Sequence, residues 1–414
     1  MSLLRGRSTR AILASTFSNA LHAPRFIAGF VARRDRNTWV FGNVHGFRDS
    51  PRYLAQYVRQ DQPGIRVVWL AHDDQSASAA EAAGLEVVLA RTRAARRVQL
   101  RAGVAFFTHG FRDLDLSDVA GAYQVYLWHG TPLKRVGLDV SRVQARRRSA
   151  PARLAARIVR LTQASGYRLV RLFVAAGELD RQRFITAFGA PPKRVVALGS
   201  PRFDVIRGGR AFDLVVQTDL RAQLGYGPDD RLIVWLPTHR REYGEASWLP
   251  ALDGAQLDEA LGPDSRIKLL IKPHPNAEWD VFRERMSDDP RIRLMRESDV
   301  DVNALLHVAD GLITDYSSVC FDYAILERPI WFLAPDVERY NSDRGLYDPY
   351  DVVTGGRHHL DWGSLLAAMR ADESDAQGGE GMANWKSVAD YARNNTEPDA
   401  CGRIVDVILA ATTH

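Results

Sequence analysis

Between residues 38 and 335 the sequence alternates twelve short apolar runs with longer mixed segments, a rhythm few architectures accept. The runs are rich in β-branched and aromatic residues and many end in Gly, His, Pro or Ser. Buried parallel strands joined by crossover helices read this way. Seven come first: TWVFGN (38–43), IRVVWLA (65–71), LEVVLA (85–90), VAFFTHG (104–110), YQVYLWHG (123–130), LFVAAG (172–177) and RVVALGSPR (194–202). From about 208 to 231 the chain turns polar, with GGRAFD and GYGPDDR flanking a helix-like LVVQTDLRAQLG. Five more runs follow: LIVWLPTHR (232–240), IKLLIKPHP (267–275), IRLM (292–295), GLITDYSS (311–318) and PIWFLAP (329–335), and a helical tail covers about 384 to 412. Two consecutive α/β halves predict two Rossmann-like domains with a cleft between them. A chain of 414 residues is long enough for two cores.

Four run ends carry residues able to do chemistry: WHGTPLK (128–134), LPTHRRE (236–242), IKPHP (271–275) and ITDYSSVCFDYAILERP (313–329). Open α/β sheets bind ligands at the carboxyl ends of their strands. The spacing therefore predicts that His129, His239, Arg240, Lys272, His274, Thr314, Ser317 and Ser318 share one region. That set is cationic and rich in hydroxyls, which suits an anionic phosphate ligand better than a neutral sugar or an acyl group. Asp315 or Ser317 is expected to cap a helix beginning near Ser318, whose free N–H groups would receive a phosphate. The helix itself, VCFDYAIL, is apolar nearly all round and is expected to be buried. Taken singly, KPHP reads as a strand-ending turn and TDYSS as a helix cap; their joint occurrence at strand ends points to a site.

Other chemistries lack their signatures. There is no phosphate-binding P-loop, no G-x-G-x-x-G after the first strand and no G-x-S-x-G nucleophile elbow. His358 and His359 sit in a Gly-rich loop and are expected to be exposed. Cys320 and Cys401 are the two cysteines and form no CxxC pair, so neither a disulfide framework nor a structural zinc is expected, and a reducing compartment fits. No metal site or resident cofactor is expected. No apolar run approaches the ~18 residues of a membrane span.

The net charge of +5 is unevenly spread. Residues 1–34 hold Arg5, Arg7, Arg10, Arg25, Arg33 and Arg34 and no acid, interleaved with Leu13, Phe17, Phe26, Ile27 and Phe30. A second basic segment, 142–161, places Arg153, Arg157 and Arg160 on one helical face. Each reads as a solvated helix or as a surface for an anionic membrane. Nucleic acid is not expected as a partner, because no nucleic-acid motif accompanies the arginines.

In this order and spacing, WHGTPLKRVGLD, PTHR, KPHP and TDYSSVCFDYAILERPIWFLAPDVERY…RGLY resemble the CDP-glycerol glycerophosphotransferases. These are the teichoic-acid primases and polymerases, with related CDP-ribitol and capsule transferases. The resemblance covers roughly residues 38 to 400. It implies an α/β fold of GT-B type, the nucleotide bound mainly by the second domain, and a peripheral enzyme on the cytoplasmic face of the cell membrane. The expected organisation is a basic amphipathic segment (1–36), an acceptor- and membrane-side domain (37–207), a nucleotide-donor domain (208–385) and a C-terminal helix (386–414).

The implied substrates are a nucleotide-activated polyol, CDP-glycerol or CDP-ribitol, and a lipid-linked glycan or polyol-phosphate acceptor, with CMP released. By motif, His129 resembles the family's general base. His274 and the hydroxyls of Thr314, Ser317 and Ser318 resemble its phosphate-binding groups, with Arg240 nearby. Gly130, Thr131, Lys134, His239, Lys272, Asp315 and Arg344 complete the expected site. The chain departs from the family after RGLY, where an acidic loop and Pro-Gly are replaced by DPYDVVTGGRHH. Two rival readings are a GT-B glycosyltransferase using a nucleotide sugar and a non-enzymatic membrane-surface module.

Overall fold

The computed structural model describes residues 23–110, 112–140, 166–213, 215–216, 219–240, 244–262, 265–274, 276–296, 300–374 and 379–413, with backbone alone at 23, 342–344 and 373–374. Each apolar run forms a strand. The first seven are β1 (Asp35–Gly42), β2 (Arg66–Ala71), β3 (Glu86–Leu89), β4 (Ala102–Phe107), β5 (Tyr123–Tyr126), β6 (Leu172–Ala175) and β7 (Val195–Ala197). They form one parallel sheet in the order β3-β2-β1-β4-β5-β6-β7. The remaining strands are β8 (Arg231–Leu236), β9 (Ile267–Ile271), β10 (Ile292–Leu294), β11 (Gly311–Thr314) and β12 (Ile330–Phe332). They form a second parallel sheet, ordered β10-β9-β8-β11-β12.

The strand order locates the functional edge. Each sheet winds outward in two directions from a central pair, β1/β4 in the first and β8/β11 in the second. Ligands of doubly wound sheets bind in the crevice where this direction reverses. Alternate residues of each central strand serve opposite cores, which is why these strands are apolar throughout. In β1, Trp39 and Phe41 face one cluster and Val40 the other. In β8, Ile233 and Trp235 face one and Val234 the other.

The halves are interleaved. Phe203 and Ile206, from helix Pro201–Arg207 after β7, enter the core of the second half. The last helix, Ala400–Thr412, returns Cys401, Ile404, Val405 and Ile408 to the core of the first. Of the helix expected across 214–225, Leu220–Gln223 forms a helical turn, with Asp219 accepting the Ala222 N–H; residues 214, 217 and 218 lie outside the described residues. The basic segment 142–161 and residues 1–22 lie outside the described residues. Among the described residues no helix is long and apolar enough to cross a membrane.

Candidate active site

Three strands of the first sheet end in the same dipeptide: His45-Gly46 follows β1, His109-Gly110 follows β4 and His129-Gly130 follows β5. A single buried carboxylate organises the first two of these ends. Asp113 accepts the backbone N–H groups of Val44 at 2.9 Å, Thr108 at 2.8 Å and His109 at 2.7 Å. His109 then stacks on His129, with ring centres 4.6 Å apart, and His45 meets His109 edge-on at 4.6 Å. The ring of the preceding Trp128 lies tilted against His129, with centres 4.0 Å apart.

The protonation state of His129 follows from its surroundings. Its Nδ1 lies 3.3 Å from the Thr108 carbonyl oxygen. A carbonyl only accepts, so Nδ1 carries the proton and Nε2 keeps its lone pair. Burial, then the adjacent His109, lower the His129 pKa below the ordinary 6.5. His129 is therefore a neutral imidazole with a basic nitrogen on the edge opposite Thr108.

The turn carrying it is strained. Trp128 adopts φ +57° and Gly130 φ +124°, the first an uncommon angle for a residue with a side chain. The backbone at Gly130 runs close against Ser318 of the second half and against the Arg202 guanidinium. Arg202 pairs with Asp322 at 3.1 Å and lies 3.7 Å from Asp49. Burial opposes its charge, but Asp322, Asp49, Tyr53 and Asp180 together raise its pKa and keep it charged.

The second sheet supplies another pair of histidines. His239, after β8, and His274, after β9, stack with centres 5.7 Å apart. His239 Nδ1 is fixed by the fully buried Glu245 at 2.7 Å. His274 Nδ1 accepts the Asn276 N–H at 3.1 Å, so its proton sits on Nε2. Desolvation by the surrounding protein, then His239 and Lys134, push its pKa down to about 4. His274 is thus a neutral hydrogen-bond donor through Nε2.

Several expected ligand-binding residues prove to be interior. Arg240 is 1% exposed and donates to Asp315 at 2.7 Å and Asp336 at 2.8 Å, enclosed by Trp248, Tyr316 and Tyr340. Those two carboxylates and the ring faces use up the guanidinium's reach toward a ligand. Asp315 also accepts the Thr238 and Tyr316 N–H groups, which fixes the β8 and β11 ends together. Thr314 donates to the Leu236 carbonyl, Lys272 donates to the Arg296 carbonyl, and Thr131 is wholly buried near Asp180. These five side chains are buried.

Of the two expected caps, Ser317 is the one seen: its Oγ accepts the Val319 N–H at 3.4 Å. Asp315 instead serves the Thr238 and Tyr316 N–H groups. Helix Val319–Tyr323 spans five residues. Its residues Cys320, Phe321, Asp322 and Tyr323 are buried, as the apolar sequence predicts. His358 and His359 are half-buried, with His359 Nε2 2.8 Å from Glu380, because helix Glu380–Ala392 covers that loop.

A strap joins the halves beside the histidines. Arg135 N–H donates to Gly345, Tyr347 N–H donates to Leu133, and Lys134 bridges Leu346 in antiparallel fashion. The Lys134 ammonium lies over the Tyr340 ring, 5.4 Å from its centre. Arg183 reinforces the strap, binding the Pro132 carbonyl at 2.6 Å, Asp348 at 2.9 Å and the Tyr391 hydroxyl. Of this motif the side chain of Arg344 lies outside the described residues.

His129, Gly130, Lys134, His239, His274, Ser317 and Ser318 thus lie together between the two sheets' strand ends, with His45, His109 and Arg202 beside them. The repeated His-Gly after three strands was the available signal for His45 and His109. Among the described residues no group of three or more His, Cys, Asp or Glu side chains is arranged to hold a metal ion.

Two doubly wound halves meeting at their strand ends define a fold of GT-B type. The chain belongs to the CDP-glycerol:poly(glycerophosphate) glycerophosphotransferase family, whose model matches residues 26–409. It is 28% identical over 322 residues to the teichoic acid poly(glycerol phosphate) polymerase of Staphylococcus epidermidis, covering 76% of this chain and 42% of that protein. It is 29% identical over 259 residues to the teichoic acid glycerol-phosphate transferase of Staphylococcus aureus, covering 60% of this chain and 62% of that one. The chain therefore spans roughly two fifths to three fifths of these curated relatives. In fold it is similar to the wall teichoic acid polymerase TagF, at TM-score 0.70 and 21% identity over 98% of this chain and 99% of that chain. It is more distantly similar to MnaA of S. aureus with UDP, at TM-score 0.53 and 13% identity over 91% and 96% of the two chains.

Proposed function

We propose that the chain transfers glycerol phosphate from CDP-glycerol to a hydroxyl of a lipid-linked acceptor in teichoic acid or related polymer synthesis. The observation that carries this reading is the neutral His129, with Nδ1 held by Thr108 and Nε2 left basic, on a turn whose Gly130 lies against Ser318. His129 Nε2 takes the proton of the acceptor hydroxyl as its oxygen attacks the β-phosphorus. The bond from that phosphorus to the bridging oxygen breaks, and CMP leaves with that oxygen. Positioned proton transfer of this kind contributes ~10²–10⁴-fold. His274 Nε2–H, Ser317 and Ser318 donate to the phosphate oxygens, and the Arg202 guanidinium adds positive potential behind the turn.

Family membership supports a polyol-phosphate donor, and TagF has also been solved with CDPG. Ribitol is the competing polyol, because relatives include ribitol-phosphate polymerases such as that of Bacillus spizizenii, 32% identical over 192 residues. A donor panel tests the reading. CMP release with CDP-glycerol exceeding that with CDP-ribitol supports it. CMP release from CDP-ribitol alone replaces the donor. UDP release from UDP-sugars without CMP release overturns it.

A further inference from the structure

Three imidazoles touch at the end of the first sheet, and the reaction above uses only His129. His45 and His109 sit where β1 and β4 part, the point at which this sheet's winding reverses and ligands bind. The His109 ring lies almost flat on His129, with 15° between the planes, and His45 braces it edge-on at 81°. Behind them, Asp113 binds the His109 N–H and also the Thr108 N–H. Thr108 in turn presents the carbonyl that receives His129 Nδ1–H. One carboxylate therefore places both the ring under His129 and the acceptor that sets its tautomer.

The choice of residue is informative. His109 Nδ1 is buried and, among the described residues, has no hydrogen-bond partner. Burying an unpaired polar nitrogen is unfavourable, and such exceptions call for an explanation. A phenyl ring would fill the same stack without that penalty, so volume alone does not account for an imidazole here.

We propose that His109 is a positioning residue for transfer, the plate that holds the His129 ring with Nδ1 on Thr108 and Nε2 toward the cleft, and that the two rings exclude each other's positive charge. The inference rests on His129 being the base. Two imidazolium rings 4.6 Å apart repel, so protonating one opposes protonating the other. Asp49, from helix Asp49–Asp61, favours a proton on either ring. Arg202 opposes it at both, and His45 and Arg112 oppose it at His109. Burial acts in the same direction as that opposition, and both rings titrate below the ordinary range.

The test is NMR of the full chain with nitrogen-15-labelled histidine, titrated without donor. The wild type is expected to hold His129 as the Nδ1–H tautomer at neutral pH. His109→Phe keeps a plate but removes the competing charge, so the His129 midpoint should rise. His129→Gln should raise the His109 midpoint reciprocally, and it reads the same coupling if the His109 variants fail to fold. In kinetics, His109→Phe should move the acid limb of kcat/KM to higher pH. His109→Ala, which removes the plate, should lower kcat by about tenfold or more with donor KM nearly unchanged. Unmoved midpoints in both reciprocal variants, or an Nε2–H tautomer at His129, would overturn the proposal. A wild type that releases no CMP from any polyol donor would instead remove the reaction reading and leave the titration result standing.

Discussion

Gly130 and Ser318 meet across the cleft so closely that a Cβ on Gly130 would lie 2.8 Å from the Ser318 hydroxyl oxygen. The turn that carries the proposed base is thus pressed against the turn proposed to bind phosphate. Gly130→Ala is expected to suffer twice, from that contact and from holding φ +124° with a side chain. A loss of ~1–3 kcal/mol is expected in denaturant unfolding, with most turnover gone. Adding Ser318→Ala removes the contact but not the dihedral strain, so part of the stability should return. Strict additivity of the two substitutions in a double-mutant cycle would mean the turns do not touch.

Arg240 is predicted to matter for folding before it matters for binding. Its guanidinium stands between Asp315 and Asp336, with all three side chains nearly excluded from water. Removing one member of such a buried set leaves uncompensated charge, at roughly 3–5 kcal/mol. Arg240→Leu should therefore lower the midpoint of chemical unfolding substantially. Arg240→Lys should recover little, because an ammonium cannot span two carboxylates in a plane. A near-native midpoint for Arg240→Leu, with donor affinity lost, would return this residue to the ligand.

The pH dependence has a definite sign. His129 and His274 have folded pKa values below the 6.5 of an unperturbed histidine. Between those values the unfolded chain binds more protons than the folded one, so stability rises with pH there. This contribution is intact above about pH 6.5 and is lost progressively as pH falls toward 4. His129→Gln should flatten the decline in thermal midpoint over that window. The same depression keeps the base neutral in mild acid, so the acid limb of kcat/KM should lie below pH 6.5. An acid limb at or above that pH would contradict the buried, neutral His129.

The twelve strands were legible because both sheets are parallel and covered on two faces, which forces every strand to be an apolar run. Strand order was not legible, and it decides which strand ends lie at the centre of the crevice. His45 and His109 occupy that centre; the repeated His-Gly marked them as strand ends but not as neighbours of His129. The fate of Arg240 was hidden for a related reason. Its partner Asp336 lies ninety-six residues away, and nothing in PTHR reveals that a carboxylate will fold back on it. Thr314 looks like a ligand hydroxyl in TDYSS, but a strand-end threonine donates as readily to the neighbouring strand's carbonyl, and here it does. Motif spacing thus located the cleft, while the division between residues facing it and residues bracing it required the tertiary contacts.

Membrane docking is the remaining expectation, and helix Ala23–Val31 gives it a defined surface. The helix is anchored on one side: Arg25 binds Asp118 at 2.7 Å, and Gly29 packs directly on the Ser117 carbonyl. The other side leaves Ile27 62%, Phe30 56% and Val31 72% exposed. Arg34 ties this segment to the Gln99 carbonyl of the adjoining helix Arg93–Arg101, where Arg93, Arg97 and Arg101 are exposed. Apolar side chains set among arginines match an anionic bilayer surface, which offers both an acyl boundary and negative charge. Each arginine near such a surface contributes about 1 kcal/mol, an attraction that salt weakens, and buried apolar area adds ~25 cal/mol per Å². In liposome co-sedimentation the chain is expected to pellet with anionic vesicles at low salt and to be released at high salt. Replacing Ile27, Phe30 and Val31 together by Ser should weaken pelleting without altering CMP release from a soluble acceptor. Arg93→Glu with Arg97→Glu should act in the same direction and reduce the salt dependence. Equal pelleting with neutral and anionic vesicles, or pelleting unaffected by both sets of substitutions, would rule this surface out as the docking face.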